Sequence, residues 1–195
     1  MNIYFENTMR ILKDSLESMD STTFNHLTDE CVHALNCGKK IIASGLGKNV
    51  PVCDKFVGTM LSLGQNAGFM HTNSAVHGDL GMVCPGDIVI VLTKSGETVE
   101  SIYLVDLLQK RGADIWLLTF AHNSTLTKKL SDRCLILDLE HEGDPWNIAP
   151  SNSTTVNLIV LQGLAMEIAK RRGVTLDEFK LNHPGGHIGE ILKNV

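Results

Sequence analysis

Asp87-Ile88-Val89-Ile90-Val91-Leu92, followed by Thr93-Lys94-Ser95-Gly96-Glu97-Thr98, sets the architecture of this chain. An unbroken apolar, β-branched run has the pattern of a strand covered on both faces, as parallel strands between helical layers are. Small hydroxyl residues and one glycine then turn the chain into the patterned stretch 99–108. A strand that turns in this way into a helix aims several backbone N–H groups at one point, with the positive end of the helix dipole behind them. The hydroxyls of Ser95 and Thr98 add further donors. Such a turn suits a phosphate, but the same residues also make an ordinary N-cap, and this segment alone leaves both readings open.

Outward from this stretch the same alternation repeats. Apolar runs at 40–45, 68–71, 115–120 and 134–139 read as strands, and 50–63, 97–111, 124–131 and 153–172 carry helical periodicity. The last of these helices is expected to close on a left-handed cap at Gly173. Strands alternating with helices predict an α/β fold, a three-layer sandwich around a five-stranded parallel sheet of Rossmann-like form. One domain holds it: helices in 1–38, the sheet and its helices in 39–175, and a tail segment in 176–195. Residues 2–37 read as helix interrupted at Asp20-Ser21-Thr22-Thr23, a capping run that starts a second segment. These leading helices lie outside the sheet repeat, at its side or in an assembly contact.

Composition narrows the function. A chain of 195 residues, 43% hydrophobic and 20% charged, is ordinary for a single globular domain. A net charge of -5 argues against a general nucleic-acid binder while leaving room for a local basic pocket. Cys31, Cys37, Cys53, Cys84 and Cys134 are odd in number and scattered, without a CxxC pair, which fits free thiols in a reducing compartment. No stretch has the length of a membrane span, and Met1-Asn2-Ile3-Tyr4-Phe5-Glu6 lacks the basic start of a leader, so a soluble cytoplasmic protein without a membrane partner is expected. None of the eight histidines shows zinc-site spacing, so no metal is assigned.

In an open parallel sheet ligands gather beyond the carboxyl ends of the strands. Three polar, glycine-bearing loops fall there: Gly45-Leu46-Gly47-Lys48-Asn49, the Thr93 to Thr98 turn, and 140–155. The first matches neither GxGxxG nor the P-loop, and a plain glycine turn explains it equally well except for Lys48, a cation set at the ligand rim. Ser74 to Gly81 holds His77 and Asp79 in a glycine-flanked loop, where the histidine either moves protons or fixes the loop by hydrogen bonding. Glu97 and Glu100 are expected in the first turn of the 97–111 helix, three apart on one face. Glu142 lies in an acidic run beyond the last strand, and Ser151, Ser153 and Thr154 open the next helix with the same hydroxyl chemistry as the first turn. Near the end, His183-Pro184-Gly185-Gly186 holds His183 on a short rigid break.

With these residues in view the chain resembles the sugar isomerase (SIS) domain family and, within it, the arabinose 5-phosphate isomerases. The resemblance runs over roughly 30–193 and rests on GLGK at 45–48, HGDLGMV at 77–83, SGET at 95–98 with Glu100 behind it, APSNSTT at 149–155 and HPGG at 183–186. It implies exchange of D-arabinose 5-phosphate and D-ribulose 5-phosphate, supplying Kdo for lipopolysaccharide or capsule, without a cofactor. It carries Lys48, Glu100, Glu142 and His183 over as active-site positions, with His77 and the loop residues Gly47, Asn49, Thr93, Ser95, Gly96, Glu97, Thr98, Ser151, Ser153 and Thr154 around the substrate. It also implies a homotetramer in which the His183 segment completes a neighbour's site. Two departures stand out: Lys48-Asn49 replaces the usual Lys-Ser, and Thr93-Lys94-Ser95-Gly96 replaces the usual Ser-Asn-Ser-Gly, adding a positive charge. Many members also carry a pair of CBS modules after this domain; with the chain stopping at Val195, regulation through them is not expected.

Aldose–ketose exchange moves a proton between C1 and C2 through an enediolate, so it needs one base and a donor for the oxygen charge. His183 is favoured as that base because an imidazole works near neutral pH with little adjustment, and Glu142 is its rival. Competing readings are an isomerase for a hexulose or heptose phosphate and a non-catalytic phosphosugar sensor, which needs the hydroxyl loops but not the proton-handling set. A dehydrogenase is disfavoured by the incomplete glycine fingerprint and by the lack of an acidic residue at 68–71.

Overall fold

The computed structural model describes residues 2–192. Met1, where the leader reading begins, and 193–195, at the end of the tail segment, lie outside the described residues. Five parallel strands form one sheet: β1 Ile41–Gly45, β2 Ala67–His71, β3 Ile88–Leu92, β4 Asp114–Thr119 and β5 Cys134–Ile136, in the order β2-β1-β3-β4-β5. Gly45 pairs with His71 on one side and Leu92 on the other, so the three strand ends are level.

Side-chain alternation sorts the strands' apolar residues onto two faces. Ile41, Ala43, Ile88, Ile90, Leu92, Trp116 and Leu118 enter one core, while Ile42, Val89, Val91, Ile115 and Leu117 enter the other. The first core is covered by α1 (Ile3–Glu17), α2 (Ser21–Asn36), α3 (Asn49–Ser62) and α7 (Asn152–Arg171). The second lies beneath α4 (Thr72–Ala75), α5 (Val99–Lys110) and α6 (Thr125–Leu130). Phe56, Met60, Leu164 and Ile168 are wholly buried between α3, α7 and the sheet. Each such side chain contributes about 1.5–3 kcal/mol of burial. Trp116 is buried as well, and its indole N–H reaches Glu30 Oε2 at 2.7 Å, so the largest core residue leaves no orphan donor.

The leading helices behave as the sequence suggests. Asp20 caps α2 by accepting the Thr23 N–H at 2.8 Å, which is why the helical stretch divides there. Gly173 takes φ +67° after α7. All five cysteines are free; Cys31, Cys53 and Cys134 are buried, and desolvation pushes the thiols of the last two up to about 12 and 11.

Four elements differ from expectation. β5 ends at Ile136, short of 139, because Asp138 is captured from outside the sheet: its N–H donates to Ser18 Oγ at 2.8 Å and its carbonyl accepts from Ser15 Oγ at 2.5 Å. The helix expected from 97 begins at Val99, since Gly96 takes φ +65° and Glu97 N–H closes a small turn on Ser95 Oγ. Glu97 and Glu100 therefore do not share a helix face. The loop expected at 74–81 is built from α4 and a 3-10 turn over Asp79–Met82. The break around His183 joins two further short helices, α8 Leu176–Leu181 and α9 Gly186–Leu192.

Candidate functional site

The strand order reverses between β1 and β3. The chain leaves β1 into α3 on one face and leaves β3 into α5 on the other, which opens a crevice above the two strand ends. Gly47, at φ +55°, gives the tight turn that places exposed Lys48 before α3, and among the described residues the Lys48 ammonium makes no ion pair. Asn49 Oδ1 accepts from Asn157 Nδ2 at 3.1 Å, tying the start of α3 to the second turn of α7. Asn157 was not anticipated; its only sequence signal is an amide among the apolar residues of α7, beside Val156, Val160 and Leu161.

Across the crevice, Thr93 Oγ1 accepts the Gly96 N–H at 3.3 Å and lies 3.5 Å from Thr98 Oγ1. Thr98 stands at the N-cap of α5 but its side chain caps nothing, so the first amides of α5 remain available to an anion. Glu97 is turned away from this opening. Its carboxylate accepts the N–H and hydroxyl of Thr125 at 2.7 and 2.8 Å, and those bonds hold the group below the usual carboxylate range. Glu100, in the first turn of α5, shares a cleft of about 330 Å³ with His77, Thr72 and Tyr103. Both Glu100 and His77 are exposed.

Glu142 has a different environment. It is wholly buried, with Oε1 accepting from Lys94 Nζ at 2.6 Å and Oε2 accepting the N–H groups of Ser151 and Ser153, each at 3.0 Å. Burial by itself raises this carboxyl, but the bonds from Lys94, Ser153 and Ser151 outweigh it and hold the group below the ordinary glutamate range. The start of α7 thus carries its own anion, and the Thr154 hydroxyl is turned back onto the Ser151 carbonyl at 2.9 Å. A carboxyl depressed in the folded state binds fewer protons than in the unfolded chain, so its stabilisation is present above the ordinary glutamate value and lost as pH falls through the depressed one. Acid unfolding followed by circular dichroism is expected to be less steep for Glu142→Gln than for the parent chain; parallel acid limbs would exclude this linkage.

His183 is not brought to this rim. Its Nε2 lies 2.9 Å from Ser62 Oγ, its Nδ1 lies 2.8 Å from the Phe179 carbonyl, and its ring stacks on Phe179 with centroids 4.0 Å apart. Ser62 is the last residue of α3 and Lys48 immediately precedes its first. A helix of this length spans about 20 Å, which separates His183 from Lys48 within one chain. Because a carbonyl only accepts, Nδ1 carries the proton, and in the neutral ring Nε2 is left as the acceptor.

Among the described residues no three His, Cys, Asp or Glu side chains are placed to hold a metal ion, and no helix is long and apolar enough to cross a membrane.

Comparison with known proteins places this architecture. The SIS domain model matches residues 34–167. Arabinose 5-phosphate isomerase KdsD of Salmonella typhi is 33% identical over 187 residues, covering 96% of this chain and 57% of the relative. Arabinose 5-phosphate isomerase KpsF of Escherichia coli is 39% identical over 158 residues, covering 81% of this chain and 50% of the relative. This chain therefore spans 57% and 50% of the length of these two curated relatives. The solved structure of E. coli CFT073 c3406 in complex with arabinose 5-phosphate has a TM-score of 0.82 at 30% identity, covering 93% of this chain and 94% of that one.

Proposed function

We propose, from the premise that this chain belongs to the SIS domain family, that it is an isomerase interconverting D-arabinose 5-phosphate and D-ribulose 5-phosphate. The observation that carries this reading is the rim itself. An uncapped α5 start with its hydroxyl turn, the cation Lys48 and the cleft holding His77 and Glu100 all open at or beside the β1/β3 switch point. The likeness to a protein solved with arabinose 5-phosphate bound, over nearly the whole of both chains, supports the choice of substrate.

In this reading the phosphate is taken by the amides and hydroxyls of the Thr93–Thr98 turn, and the sugar chain lies along the rim toward Lys48. A base removes the C2 proton of the aldose, the C–H pair becomes the C1–C2 double bond, and the carbonyl pair moves onto O1. The hydroxyl proton of O2 passes to O1, the O2 pair restores a carbonyl at C2, and the base returns its proton to C1. Glu142 is poorly suited to be that base, since both of its oxygens are engaged and its carboxyl is depressed. His183 has an oriented ring whose Nε2 accepts only from the Ser62 hydroxyl, a neutral partner that substrate can replace, whereas Glu142 is held by a cation and two amides. Its distance from Lys48 supports the reading that it serves the site of a neighbouring copy in a homo-oligomer, taken here as a tetramer. The reaction feeds Kdo synthesis, and a cytoplasmic setting fits five unpaired thiols.

Incubation of the purified protein with arabinose 5-phosphate in heavy water, read by NMR, is expected to place deuterium at C2 of the aldose and C1 of the ketose. Exchange with only another sugar phosphate would overturn the substrate. Tight phosphosugar binding without any exchange would instead identify a sensor.

A further inference from the structure

The Lys94 side chain has been given no part in the reaction so far, yet the residue is held at both ends. Its carbonyl accepts from Thr119 Oγ1 at 3.1 Å and Phe120 N at 3.3 Å, which pins its backbone over the end of β4. Its side chain reaches toward the loop beyond β5 and donates to Glu142 at 2.6 Å. The pair is lopsided: the Glu142 side chain is 0% exposed and Lys94 is 47% exposed. In an ordinary surface ion pair both chains are mobile and little is gained. Here one partner is buried and fixed by the Ser151 and Ser153 amides at the start of α7, so the cation is directed before any ligand arrives. An ammonium has three donors and Glu142 takes one, so with the Lys94 side chain 47% exposed the others are not committed to this pair. The Lys94 backbone belongs to the very turn assigned to the phosphate, and Lys48 stands across that turn on the β1 side.

We propose that Lys94 is a further catalytic residue of this site, a cation tethered by buried Glu142 that donates to the oxygen on which charge develops in the enediolate. This rests on the isomerase reading above. When the base takes the C2 proton, O1 gains the carbonyl pair and becomes an alkoxide; Lys94 bonds to it without giving up its proton and releases it as the O2 proton arrives. A donor fixed in advance stabilises the transition state more than the neutral carbonyl that precedes it, so its loss falls on kcat rather than on KM.

The test compares steady-state kinetics of the parent protein with Lys94→Met, Lys94→Arg and the Lys94→Met/Glu142→Gln double variant, using arabinose 5-phosphate. Removing one such donor is expected to lower kcat by roughly 100-fold or more with KM changed by less than about threefold, and Lys94→Arg should recover a substantial part of it. The double variant leaves no unpaired buried charge, so it remains informative if Lys94→Met fails to fold, and the same kcat loss is expected of it. Unchanged kcat in a folded variant, or a loss confined to KM, overturns the role of Lys94. Absence of turnover in the parent protein overturns the isomerase reading instead, so the two failures are distinguishable.

Discussion

His183→Ala protein and Lys48→Ala protein are each expected to be nearly inactive alone, and to recover turnover when denatured together and refolded as a mixture. Loss of a positioned base removes about 10²–10⁴-fold in rate. Within one chain His183 is bonded to the far end of the helix that Lys48 begins, so a single chain does not bring them to one substrate. If each site takes Lys48 from one copy and His183 from another, a random mixture restores about a quarter of the sites, each built from one His183→Ala chain and one Lys48→Ala chain. Recovery near that level, with neither homogeneous variant active, is the expected readout of the initial rate. A mixture no more active than its components would show that each chain completes its own site, and the proposed assignment of the base would fall.

Gly96→Ala is expected to damage both stability and substrate binding. Gly96 takes φ +65°, where an L side chain costs roughly 1–2 kcal/mol. A Cβ there would also lie 2.8 Å from Ser124 Cβ and closer still to its hydroxyl. Ser124 has little room to yield, because it is buried and caps α6 by accepting the Thr127 N–H at 3.1 Å, while Gly96 O accepts the Leu126 N–H. Strain from such overpacking adds about 1–3 kcal/mol. The combined effect is a fall in Tm on the order of 10 °C, with KM for the phosphosugar raised about tenfold or more as the turn is displaced. Gly58→Ala is the matched control: it lies on the exposed side of α3 with nothing within 4 Å of the added carbon, and should hold or slightly raise Tm. Equal melting of both variants would refute the packing argument.

The sheet was legible because its signals are local. Runs such as Ile88–Leu92 are apolar throughout, and the first two glycine-bearing loops mark the ends of β1 and β3 without knowledge of any partner. What escaped was set by contacts distant in sequence. Nothing near Asp138 announces that Ser15 and Ser18 take its backbone and end β5 early. Nothing near Glu97 reveals that Thr125 occupies it and withdraws it from α5. The acidic run at 140–144 looks like solvated surface, and only the fold shows that Glu142 is buried under Lys94 and the start of α7. His183 was legible as a residue on a rigid break, but not its anchorage on Ser62, because a single imidazole gives no hint of which hydroxyl it meets 121 positions away.

Ser15 and Ser18 are two of several ties between α1 and the chain beyond β5; Arg10 adds a fork onto Glu140 at 2.6 and 2.8 Å. The 140–155 segment therefore hangs from the amino-terminal helix as much as from its own strand. Evolutionary boundaries and mechanical boundaries part company here: the recognisable family unit begins at residue 34, after the helix that steadies the approach to Glu142. Sequence drift in α1 therefore bears on the segment that leads into Glu142, through the ties at Asp138 and Glu140.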